Sequence, residues 1–222
     1  MHRLFLYILF AVTVFSSQEA SEEGPTGHQN NELEEGIARA SLPENIRMQK
    51  TMIEKLKTGD VVTRLGNDII SEMISQLNRN DRSFSHCGLV VVEDGYPMVY
   101  HSIGGEDNPD ERLRRDSVQI FWSGKTNFAI GAFRYRLDER TISRLTDSVH
   151  ACFERRPLFD MQFNLEDDDK MYCAEFIAKM FNRATDSADY ISTSTLAGKA
   201  YYPIESVFNN LHTYEIGRYT YK

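Results

Sequence analysis

The sequence predicts an α+β domain built on an antiparallel sheet, and three observations carry the prediction. Two runs of strand character, 85–92 and 96–103, flank Glu93-Asp94-Gly95, and Asp-Gly between such runs is the strongest short-range hairpin signal. Strand-like segments at 61–65, 129–136 and 213–221 alternate irregularly with segments of helical apolar spacing, which favours a mixed rather than a doubly wound topology. Hydrophobic residues make up 41% of 222 positions, enough to bury one sizeable core.

The elements follow in chain order. His2 and Arg3 lead into Leu4–Phe15, twelve residues without a charge, and Ser16 and Ser17 follow. This basic, apolar, small-residue layout is that of a secretory signal peptide over residues 1–17. Twelve apolar residues are too few to span a bilayer, which takes ~20. An exported protein, periplasmic or secreted, with no integral membrane association is therefore expected. Residues 18–45, rich in Glu, Gly, Ser and Asn, read as a flexible acidic leader with Pro43 as a late break. A domain over 46–222 follows.

Within that domain Ile46, Met48, Ile53 and Leu56 predict a helix over 44–57, ended by Thr58-Gly59-Asp60 before the first strand. Ile69, Ile70, Met73, Ile74 and Leu77 recur at helical spacing and predict a helix over 67–77. The hairpin comes next, then a charged loop over 104–116 and the strand 129–136. Asp138 is placed to cap a helix with Ile142, Leu145, Val149 and Cys152 on one face. A helix over about 172–182, a short helix after Tyr201-Tyr202-Pro203 and a final strand complete the chain.

Composition excludes several functions. Lys and Arg number 25 against 33 Asp and Glu, a net charge of −8, which argues against a nucleic-acid partner because phosphate affinity comes from clustered cations. Cys87, Cys152 and Cys173 include no Cys-x-x-Cys pair, and His-x-His and His-Glu-x-x-His are absent. Neither a metal nor another cofactor is expected. Three cysteines leave at least one thiol unpaired.

Cys173 opens an apolar helix face that continues through Phe176, Ile177, Met180 and Phe181. A helix N-terminus favours a thiolate, the nucleophilic form. The carboxylates Glu166, Asp167, Asp168 and Asp169 just upstream oppose this, and the position equally suits a small buried core residue. An Asp94-Gly95 turn pairs Glu93 with Tyr96 and thereby puts His86 and His101 on one sheet face, diagonally adjacent at roughly 7–8 Å. Cys87 then points to the other face. Such a pair is either a base with its orienting partner or a polar surface pair. Cys87 and Cys152 read as buried structural residues, and a disulfide between them stays open.

Three blocks carry a resemblance: Gly59-Asp60-Val61-Val62, Ser85-His86-Cys87-Gly88-Leu89-Val90 and Tyr172-Cys173-Ala174-Glu175-Phe176. In this order they resemble the YiiX/YebB-like family of circularly permuted papain-like, NlpC-type cysteine hydrolases. The likeness extends over about 50–222 and includes Phe159-Asp160 and Tyr202-Pro203. It implies a permuted papain-like fold with an antiparallel sheet packed against helices, Cys173 as nucleophile and His86 as base. The third position is Glu in many members. Here it falls on His101, as in related classes with a second His. Ala174 stands where Ser is more usual.

The resemblance implies an exported peptidase or amidase acting on a small peptide, amide or acyl substrate, cell-wall peptides among the possibilities. Tyr172 is a candidate substrate-binding residue, although a core role suits it as well. The shared order of two His and a C-terminal Cys also links the sequence to the lecithin:retinol acyltransferase group, so a lipid ester hydrolase or acyltransferase is an alternative. A non-catalytic binding module with the same fold is a third.

Overall fold

A computed structural model describes residues 27–105 and 108–222. The expected signal peptide therefore lies outside the described residues. Two helices begin the description, α1 (Gly27–Ser41) and α2 (Pro43–Ile53). They are followed by β1 (Asp60–Gly66), α3 (Ile69–Ser75), β2 (His86–Glu93) and β3 (Tyr96–His101). Then come β4 (Arg114–Ser117), the short α4 (Val118–Phe121), β5 (Asn127–Tyr135) and α5 (Glu139–Arg155). The chain ends with α6 (Cys173–Thr185), a small hairpin of β6 (Ser194–Leu196) and β7 (Lys199–Tyr201), a 3-10 turn over Ile204–Val207 and β8 (Thr213–Thr220).

Six strands form one antiparallel sheet in the order β4-β3-β2-β1-β5-β8. Asp94, at φ 50°, and Gly95, at φ 83°, make the turn that joins β2 to β3, and Glu93 pairs with Tyr96 as the sequence predicts. Both faces of the sheet are covered, which is why central β2 reads Leu89-Val90-Val91 without alternation. Leu89, Val91, Val61, Tyr100 and Phe133 pack with Leu145, Val149 and the apolar stripe of α6. Val90, Val62, Val99, Ile130 and Ala132 pack on the opposite face with Met52, Phe121 and Trp122. The Trp122 indole donates to the Thr63 carbonyl at 3.0 Å, so burying its polar end costs little. Asp60 is fully buried and takes a forked ion pair from Arg134, at 2.7 and 2.8 Å.

Two expectations need correction. From residue 27 the expected flexible leader is helical, because tertiary contacts pay the ordering entropy that its composition alone does not cover. Asn45 ties α1 and α2 to the chain terminus by donating to the Arg39 and Lys222 carbonyls. Gly36 lies so close to the segment between α4 and β5 that a Cβ there would stand 2.4 Å from the Lys125 oxygen. The end of the expected charged loop is strand β4 running into α4. Arg114, Arg115 and Asp116 belong on a sheet edge, where charged side chains also discourage pairing with other chains.

Candidate active site

The site forms where β2 and β3 part. Their ladder begins at Leu89–Tyr100, so His86, Cys87 and Gly88 pair only with Arg64, Thr63 and Val62 of β1. Gly88 permits close approach here, since a Cβ would stand 2.3 Å from a methyl of Val99. The chain entering α6 closes on the same end of the sheet, with the Ser102 hydroxyl donating to the Met171 carbonyl at 2.5 Å.

Cys173 is the first residue of α6, and its helix start is held from within. The Glu175 carboxylate accepts from the Tyr172 N–H at 3.3 Å and pairs with Lys179 at 2.8 Å, the return half of a capping box. The Cys173 side chain lies on the sheet face of Cys87, within the cluster that α6 covers. A hydrogen bond from the Cys87 thiol lowers its pKa below the ordinary thiol range. Burial opposes that shift, and the N–H groups of Cys87, Ala174 and Cys173 reinforce it. The Val90 carbonyl accepts from Gly59 on the β1 side. By strand alternation the Cys87 N–H then points the other way, toward the gap that β3 has left. Burial and the neighbouring sulfur push Cys87 well above the ordinary range, so it serves as the donor of the pair.

His86 and His101 occupy the opposite face. Their rings lie against Phe121, with centroids at 5.6 and 5.0 Å. His86 Nε2 and His101 Nδ1 are 2.9 Å apart, and His101 Nε2 is 3.1 Å from Asp116 Oδ2. Arg114 holds the other oxygen of Asp116 at 3.0 Å. Burial drives the His86 pKa well below its usual value, and the charges of Arg64 and His101 add to the shift. His101 is also lowered by burial, against the opposing hydrogen bond it makes to Asp116. In both, burial favours the neutral ring over the charged one.

The structure brings His86 and His101 together on one sheet face as the hairpin register predicts, with ring centroids 5.1 Å apart. It does not join Cys173 to them by a hydrogen bond. The expected triad stands as two halves on either side of β2, because Cys173 follows the face of Cys87 and the histidines follow that of Val90. Tyr172 needs a plainer correction. Its hydroxyl accepts from the Tyr202 N–H at 2.6 Å, and its ring lies 4.8 Å from that of Phe163. It is a buried brace rather than a wall for substrate.

Sequence reasoning missed Asp116, which lay within a segment read as loop, and it gave Cys87 no part beyond packing. The signal for Cys87 was present, since alternation already placed it opposite His86. All three cysteines are free thiols. Among the described residues no group of three His, Cys, Asp or Glu side chains is arranged to hold a metal ion. Three of the four ring nitrogens of His86 and His101 are engaged with one another and with Asp116. No helix among the described residues is long and apolar enough to cross a membrane.

No family model matches the chain, and no curated relative matches it. Among solved structures it is similar to the metalloprotein YiiX of Escherichia coli O157:H7, at 16% identity and a TM-score of 0.58. That alignment covers 74% of this chain and 98% of the other. At such identity the likeness is one of fold, and the order of blocks read from the sequence agrees with it. The chain has the YiiX-like α+β fold.

Proposed function

We propose that this protein is an exported thiol hydrolase that cleaves an amide bond in a small peptide or related acyl substrate through a cysteinyl acyl-enzyme. The observation that carries the reading is Cys173 at the first position of α6, packed with Cys87 among buried groups, where the Cys87 thiol and nearby backbone N–H groups lower its pKa. Such an arrangement favours the thiolate. Cys173 packs with Cys87, and His86 adjoins Cys87 in the chain, so the two groups approach the same end of β2 from its two faces. The reading requires Cys173 and His86 to come within hydrogen-bond reach when substrate binds.

In the proposed sequence His86 takes the Cys173 proton, and the sulfur attacks the acyl carbon. The same proton passes from His86 to the departing amine. Water, deprotonated by His86, then releases the acid and restores the thiol. Backbone N–H groups of the first turn of α6 are unpaired within the helix and stabilise the oxyanion. Export rests on the basic, apolar and small-residue layout of residues 1–17. The second histidine favours one further reading, acyl transfer or hydrolysis on lipid esters, by its resemblance to the acyltransferase order.

Incubation with matched fluorogenic amide and ester libraries, followed by intact-mass measurement, tests both. An acyl adduct on Cys173 with amide turnover supports the first reading, and an adduct with esters alone supports the second. Turnover that survives Cys173→Ala would overturn both.

A further inference from the structure

We propose that Asp116 is a positioning residue that fixes the tautomers of both histidines and leaves Nδ1 of His86 as the one free imidazole lone pair at the site. This rests on reading His86 as the base, and it adds a residue on a third strand to that reading.

The argument is one of donors and acceptors. An ionised carboxylate only accepts, so at 3.1 Å from Asp116 Oδ2 the His101 Nε2 must carry a hydrogen. A neutral imidazole has one N–H, which leaves His101 Nδ1 as an acceptor. Its partner at 2.9 Å, His86 Nε2, must then be the donor. The remaining nitrogen of His86, Nδ1, is left with its lone pair exposed to a proton. Reversing either ring would set two lone pairs or two N–H groups against each other across a buried 2.9 Å contact. Mutual repulsion or an unsatisfied buried donor would follow.

Asp116 is itself held for this task. Arg114 binds Oδ1 at 3.0 Å, which turns Oδ2 toward His101. Burial alone would raise the Asp116 pKa, but the bonds from His101 and Arg114 outweigh it and keep the carboxylate ionised. The positive charge that arises when His86 accepts a proton can be shared through Nε2–H to His101, which lies beside the carboxylate. That offsets the neighbouring Arg64 charge, which disfavours an imidazolium. The pattern parallels the orienting carboxylate of a Ser-His-Asp site, extended by one ring.

The test reads the tautomers directly. In protein labelled with 15N-histidine, long-range 1H–15N correlation at neutral pH should show His86 protonated at Nε2 and His101 at Nε2. In Asp116→Asn, whose amide can donate as well as accept, at least one ring should change tautomer or populate both. Acyl-enzyme formation should fall about 10²-fold in rate with KM nearly unchanged, and Asp116→Glu should restore part of it. A thermal melt of each variant separates this from loss of fold, since a merely structural role lowers Tm and leaves the surviving tautomers alone. His86 protonated at Nδ1 in the wild type, or identical tautomers in Asp116→Asn, would overturn the proposal. Tautomers that shift as expected, in a protein that forms no acyl-enzyme with any substrate, would uphold the Asp116 assignment and overturn the hydrolase reading instead.

Discussion

The two faces of the sheet treat their reactive groups in opposite ways, although burial is strong on both. On the α6 face, burial disfavours the Cys173 thiolate, and directed hydrogen-bond donors reverse that tendency. On the α4 face, burial disfavours the charged imidazoles, and among the groups near them Asp116 opposes it, through His101. Desolvation always penalises the charged form, so the same cause pushes a thiol up and a histidine down. The donors at Cys173 then decide the outcome. One face thus lowers the pKa of a buried thiol, and the other favours the neutral form of its two buried rings.

The sharpest way to break this comparison is to remove one reactive group from each face. Cys173→Ala should abolish acyl-enzyme formation, and iodoacetamide should label Cys173 in the folded wild type ahead of Cys87 and Cys152. Cys173 is 8% exposed, whereas the other two are 0% and 1%. Equal labelling of the three thiols would show that the α6 face does not single out one sulfur. On the other face, His86→Ala should cost ~10²–10⁴-fold in turnover, the usual worth of a general base. His101→Gln should cost less and should shift the acid limb of the pH–rate profile. An unchanged profile in His101→Gln would reduce the site to a Cys–His pair.

Helix α6 offers a pH test of the same principle. Burial pushes the Glu175 pKa up to about 7 from 4.5, against the opposing Lys179. A carboxyl whose folded pKa is raised stabilises the fold most below its unfolded value and loses that contribution as pH rises through the folded one. Wild-type stability relative to Glu175→Gln should therefore decline between pH 4.5 and about 7, by about 3 kcal/mol at most. Denaturant titrations at pH 4.5, 6 and 7.5 measure this, and a flat difference would mean that Lys179 neutralises the burial cost.

Gly36→Ala probes whether α1 belongs to the histidine side. The new Cβ would meet the Lys125 backbone, at a cost of about 1–3 kcal/mol. Iodoacetamide labelling of Cys173 should stay unchanged, while a loss of labelling would show the two faces to be coupled. The smallest effect is expected from Cys87→Ala. Removing its hydrogen bond should raise the midpoint of Cys173 alkylation in a pH series, and an unmoved midpoint would assign the lowering to the backbone N–H groups alone.

The hairpin was legible because its cause is local. Asp94-Gly95 fixes the turn, the turn fixes the register, and the register puts His86 and His101 on one face and Cys87 on the other. The caps at Asp68 and Asp138 are local in the same way, each accepting from an N–H three residues on. So is the start of α6 at Cys173, where the apolar spacing begins.

The sequence by itself thus determined β1, β2, β3, β5 and β8, the helix face of Cys173 and the pairing of the two histidines. Only the tertiary structure decided which sheet face Cys173 would join, because that depends on how α6 docks across strands far from it in the chain. Tertiary structure also made a helix of the leader from residue 27 onward and brought Asp116 from a charged edge strand to His101. No local pattern encodes a contact whose worth comes from burial and from hydrogen bonds supplied by another strand.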